Sequence, residues 1–156
     1  MKISAINEVV SLIANIGVIG SIVFLGLEMQ QNTEMMQSQT RNSIVENQLS
    51  FYERVIDNIE FAEVATEFRA DVAAYPEGTA EDFQYRLFAI SQLRMWENEF
   101  YQYQLGLFDA DEFQARTNTW RRQIIAANLI GFWRRGEDSY APDFRSYLNE
   151  MIAEIS

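Results

Sequence analysis

Glu97, Glu99, Tyr101 and Tyr103 set two carboxylates and two phenols within seven residues of one another. On a helix, residues two apart face different ways and residues four apart share a side, so Glu97 is expected beside Tyr101 and Glu99 beside Tyr103. Such a group holds a hard cation only if another helix brings further carboxylates. Without them it is a solvated or arginine-paired face, which is the expectation for this chain. A second concentration is basic: Arg121, Arg122, Arg134 and Arg135. Their guanidinium forks suit an anionic ligand or a partner's carboxylates. They suit the chain's own surplus of Asp and Glu equally well, and that is the commoner arrangement. A third set is aromatic: Phe51, Tyr52, Tyr85, Phe88, Trp96, Phe100, Trp120, Phe132 and Trp133. These either line a small-molecule pocket or form plain core, and rings at helical spacing are more often core.

What the chain lacks narrows the chemistry further. Cysteine is absent, which removes disulfides, thiolate catalysis, Fe–S clusters and Cys-ligated zinc. Histidine is absent too, and with it the usual general base and the commonest transition-metal ligand. Ser–His–Asp chemistry, His-held haem and Glu-x-x-His di-iron sites are therefore impossible. A non-enzymatic protein is expected, with no catalytic residues, no cofactor and no metal. The net charge of −11 argues against nucleic acid, which needs clustered positive charge.

The elements that position these residues begin with an uncharged run from Val9 to Leu27, fenced by Glu8 and Glu28. Its length is close to the roughly 20 residues that a helix needs to cross a bilayer core. A cleaved signal would need a basic start and a small-residue cleavage site, and Lys2 alone with Leu27-Glu28-Met29-Gln30 supplies neither well. A buried core helix is the other alternative, because Ser11, Asn15 and Ser21 lower the hydrophobicity. The expected organisation is a transmembrane anchor at 1–29, a polar helical neck at 30–43 and a soluble helical bundle at 44–156. Lys2 and the amino terminus against Arg41 lean towards an exported, periplasmic bundle under the positive-inside rule.

Asn7, Ser11 and Asn15 recur every four residues and so line one side of the anchor, with Gly17, Gly20 and Ser21 close by. In lipid, small residues let helices approach closely, and an amide hydrogen-bonds across helices for about 0.6–2 kcal/mol. These six residues are the expected interface with a partner helix, of the same chain or another.

Breakers are few, with Pro76 and Pro142 the only prolines, and helical spacing runs through the chain. The anchor is expected to continue into the neck and then into a heptad-like stripe, Val45, Leu49, Tyr52, Ile56 and Ile59, read as the buried seam of a bundle and less often as a coiled coil between subunits. A second segment, 61–74, sets Val64, Phe68 and Val72 on one side, and Tyr75-Pro76-Glu77-Gly78 is a turn by composition. Thr79-x-x-Asp82 resembles a capping box that opens a helix to about Leu107. Asp109-x-x-Glu112 reads as the next start, for a helix carrying Trp120, Ile124, Ala127 and Ile130 towards Trp133. Pro142 suits the first turn of a last helix reaching Ile155. Short connections between long helices imply an all-α, antiparallel up-down bundle.

Three motifs give the chain a familiar look: Leu27-Glu28-Met29-Gln30-Gln31-Asn32-Thr33 after the apolar run, Glu99-Phe100-Tyr101-Gln102-Tyr103 with Gly106 and Asp109, and Phe132-Trp133-Arg134-Arg135-Gly136 with Pro142, Asp143 and Phe144. With them the chain resembles a broad group of uncharacterised bacterial, membrane-anchored helical proteins. The resemblance implies architecture and carries no activity. It departs at Glu28 and Glu34, where that group tends to carry arginines.

These readings lead to a single-pass protein of a bacterial inner membrane that contacts the bilayer through residues 9–27. The expected role is a non-catalytic accessory or scaffold subunit whose partners are membrane-protein subunits or its own copies, not nucleic acid. The alternative is a ligand-sensing bundle that signals through the N-terminal helix.

Overall fold

The computed structural model describes residues 2–107 and 109–155, the side chains of Lys2, Ser4 and Ala5 excepted. The charge of Lys2, on which the expected orientation rests, thus lies outside the described residues. Among the described residues six α-helices follow one another: α1 (Lys2–Ile56), α2 (Ile59–Ala70), α3 (Ala80–Gln104), α4 (Ala110–Ala126), α5 (Leu129–Gly136) and α6 (Pro142–Ile155), with a 3-10 turn at Glu137–Ser139. No strand occurs among the described residues, so the protein is all-α. The chain forms two compact units, Met1–Gln39 and Thr40–Ser156.

The first unit is helical, and every described side chain from Ile3 to Met36 is exposed. This helix is long and apolar enough to cross a membrane by length and composition, a test that a signal sequence also passes. Ser21 Oγ donates to the Gly17 carbonyl at 2.8 Å, so this hydroxyl is satisfied within its own helix.

In the second unit the helix starts follow local chemistry. Thr79 Oγ1 accepts from the Asp82 amide at 3.2 Å, and Asp109 Oδ1 accepts from the Glu112 amide at 2.8 Å, each satisfying an amide that the first turn leaves open. Asp82 reaches back to the Gly78 amide at 2.9 Å, one residue before the position that a capping box serves. Gly78 and Gly106 hold φ of +87° and +71°, turning the chain where a side chain would be strained.

Helix α3 is the hub and packs on α2, α4, α5 and α6. Its pairing with α4 is antiparallel, for Trp96 stacks on Trp120 (5.4 Å), Glu99 meets Arg116, and Tyr103 stacks on Phe113 (4.0 Å), so one number falls as the other rises. Against α2 the order is again antiparallel, through Phe61 on Phe88 and Phe68 on Tyr85. Trp96, Trp120, Trp133, Tyr85, Phe68 and Phe144 are among the largest fully buried side chains.

Three expectations are corrected. The stripe Val45, Leu49, Tyr52, Ile56 and Ile59 is exposed, and α1 turns Ile44, Gln48, Phe51 and Val55 towards the bundle. Phe51 stacks on Phe88 and Gln48 bonds Glu99, and a shift of one residue along a helix rotates the buried side by about 100°. Helix α2 stops at Ala70, which leaves Val72 outside it and 52% exposed. The helix expected from Asp109 to Trp133 is two helices, parted at Asn128, whose φ is +49°. Tyr85 Oη donates to the Ala127 carbonyl at 2.6 Å, and Asn128 Nδ2 donates to the carbonyls of Phe68 (2.8 Å) and Arg69 (3.1 Å), where α2 ends. Asparagine tolerates the left-handed region, and its amide satisfies carbonyls that α2 leaves open.

Candidate functional site

The two carboxylates at 97 and 99 take up separate tasks. Glu97 Oε1 accepts from the Ala141 amide at 2.7 Å and Oε2 from Arg94 at 2.6 Å, which fixes the chain ahead of α6. Glu99 is 2% exposed. Its Oε1 accepts from Gln48 Nε2 (2.9 Å) and Arg116 (3.4 Å), and its Oε2 from the Trp120 indole (3.2 Å). Arg116 also pairs with Glu112, which Arg41 holds at 2.6 Å from α1. Burial pushes the Glu99 carboxyl above its ordinary range, against the opposing pull of Arg116, Trp120 and Gln48. Burial also presses on Glu112, but bonds and charges from Arg116 and Arg41 outweigh it and hold that carboxyl low. Helix α3 carries both acids and both phenols: the Tyr103 ring stacks on Phe113 of α4, the helix that Glu99 also meets through Arg116 and Trp120, and Tyr101 is exposed. Among the described residues, no group of three or more acidic side chains is placed to hold a metal ion.

The four arginines singled out in the sequence divide. Arg121 pairs with Glu154 at 2.6 Å, Arg122 bonds the Thr119 hydroxyl, and Arg134 bonds Asn149 and lies 3.8 Å from Glu137. Arg135 differs. Its guanidinium sits 4.7 Å over the Phe132 ring, and among the described residues no carboxylate lies within ion-pairing distance of it.

Arg135 borders a cleft of about 640 Å³ together with Arg86 and Arg94 of α3. Arg86 is ion-paired with Asp82. Arg94 lies 4.1 Å over the Tyr140 ring and donates to the Ser139 carbonyl at 3.0 Å. The Asp82 carboxyl is held below its ordinary range, first by the Gly78 amide and then by Arg86, with Arg135 adding to the effect. Tyr75 on the rim is pushed up to about 12 by its bond to Glu67 and stays protonated. Sequence reasoning passed over Arg86 and Arg94, although Arg86, Ile90, Leu93 and Arg94 follow helical spacing along one side of α3.

The residues expected to meet a partner helix, Asn7, Ser11, Asn15, Gly17, Gly20 and Ser21, are all exposed, and a Cβ added at Gly17 or Gly20 would meet nothing within 4 Å. In the second unit, Glu99, Phe100, Phe132, Trp133 and Phe144 of the familiar motifs are buried and serve packing. Compared with known proteins, the chain matches no family model, no curated protein and no solved structure.

Proposed function

We propose that this protein is a non-catalytic accessory or scaffold subunit, held in a membrane by residues 9–27 and associating there with other membrane proteins or with its own copies. The observation behind this reading is the exposure of α1: every large apolar side chain from Val9 to Leu27 keeps more than half of its surface open. Water is a poor solvent for such a cylinder, whereas lipid suits it and a helix satisfies its backbone internally. Ser11 and Asn15 are then polar groups in hydrocarbon, with Asn7 at its edge, and are best satisfied by a neighbouring helix. The motif resemblance to bacterial membrane-anchored helical proteins supports the anchor in an inner membrane, and Lys2 with the amino terminus against Arg41 favours the bundle on its outer side. The cleft bordered by Arg86, Arg94 and Arg135 favours a second reading, in which the bundle senses a ligand.

Alkaline carbonate extraction with amino-terminal sequencing tests the anchor. Full-length chain that stays with the membrane and retains residues before Val9 is the expected result. A soluble chain that begins beyond Leu27 would make this segment a cleaved signal and overturn the reading.

A further inference from the structure

Three features of the cleft on the bundle suit a small ligand. Among the described residues no carboxylate lies within ion-pairing distance of Arg135, although its charge acts on Asp82, and its stacking on Phe132 holds it in place before any ligand arrives. Val72 and Ile90 line the same cleft and expose 52% and 42% of their surface, so apolar walls stand open beside the charge. The volume, about 640 Å³, falls inside the range of roughly 300–1,000 Å³ typical of small-molecule sites.

We infer that this cleft binds an organic monocarboxylate with an aromatic or branched apolar body. The carboxylate pairs with the fork of Arg135, while the apolar body covers Val72 and Ile90 above a floor of Leu93 and Tyr140. A single negative charge suits the site, because Asp82 and Glu77 line it and repel a second one, as a phosphate monoester would bring. The inference rests on the ligand-binding reading of the bundle and is independent of the anchor.

The test is calorimetric titration of the full-length chain in neutral detergent micelles, with empty micelles as the blank. The probes are phenylacetate, 3-phenylpropionate, indole-3-propionate and octanoate, with 3-phenylpropionamide and phenyl phosphate for comparison. At least one carboxylate should saturate at one per chain below about 10 mM and bind more tightly than both comparison compounds. Arg135→Gln should weaken it by about tenfold or more, since a charge-assisted bidentate contact is lost. Arg135→Lys should retain part of the affinity, and Arg121→Gln all of it. Unchanged circular dichroism and melting of the Arg135 variants would show that the fold is intact. Absence of saturation by every carboxylate, equal binding of the amide, tighter binding of phenyl phosphate, or indifference to Arg135→Gln would each overturn the inference. None of these outcomes bears on membrane attachment, which is read separately.

Discussion

Replacing Glu99 by glutamine keeps the shape of the side chain and removes its ability to ionise. In the native protein this carboxyl is 2% exposed, and burial raises its pKa above the ordinary value of 4.5. Below pH 4.5 it is protonated in both folded and unfolded chains and carries no penalty. As the pH climbs past that value the unfolded chain ionises first while the folded one still holds its proton. Stability therefore falls, by up to about 1.4 kcal/mol per pH unit, until the raised folded pKa has been passed. Glutamine has no such window. At acid pH the amide and the protonated carboxyl are close in size, but the amide nitrogen cannot accept from Trp120 or Gln48 as an oxygen does, so the variant should start about 1–3 kcal/mol below wild type, an offset that does not change with pH. With rising pH the wild type should lose ground relative to the variant, at roughly 3–6 °C of melting midpoint for each kcal/mol in a unit of this size. Thermal melts of both proteins from pH 4 to 7 measure the difference, and taking the difference cancels carboxylates that titrate alike in both. A variant that becomes relatively less stable as the pH rises would show that the Arg116 pairing outweighs burial, and the electrostatic reasoning would fail.

Other perturbations test the fold and the anchor. Phe51→Ala should cost about 3 kcal/mol, while Leu49→Gln stays within about 0.5 kcal/mol, in chemical denaturation; the reverse order would restore the exposed stripe as the buried seam. Asn128→Ala should lose about 2 kcal/mol, from the left-handed backbone and the bonds to Phe68 and Arg69, and Asn128→Gly should lose less. Asp109→Ala should cost about 1 kcal/mol by removing the cap on Glu112, with little change at Thr79 as read by amide exchange. Asn15→Leu and Gly17→Leu should weaken association in the membrane by about 0.6–2 kcal/mol each, measured by energy transfer between labelled copies or partners, while leaving the melting of the bundle unchanged.

Features decided within a few residues were legible in the sequence. Thr79, Asp109 and Pro142 mark helix starts through their own side chains or rings, and Gly78 and Gly106 mark turns through their backbone freedom. The aromatic core was legible for the same reason, since Trp96 and Trp120 need only a helical period to find a common side. Features decided by distant partners were not. Counting apolar residues favours Val45 and Leu49 as the seam, yet Gln48 faces inward because Glu99 on another helix accepts its amide. Nothing near Asn128 announces a break, which depends on Tyr85 and on the carbonyls ending α2. Glu97 and Glu99 look alike in sequence, and only packing separates a carboxylate that braces the start of α6 from one enclosed beside Trp120. The doublet Arg134–Arg135 divides likewise, one toward Asn149 and the other to the cleft.

The most direct measurement of the proposed role is the mass and composition of the particle that carries this chain after gentle detergent extraction from its native membrane. A particle with other membrane subunits at fixed stoichiometry, or a defined oligomer well above the 18.2 kDa of one chain, is the expected result. A lone monomer would contradict the accessory and scaffold role and leave the ligand-sensing reading in its place.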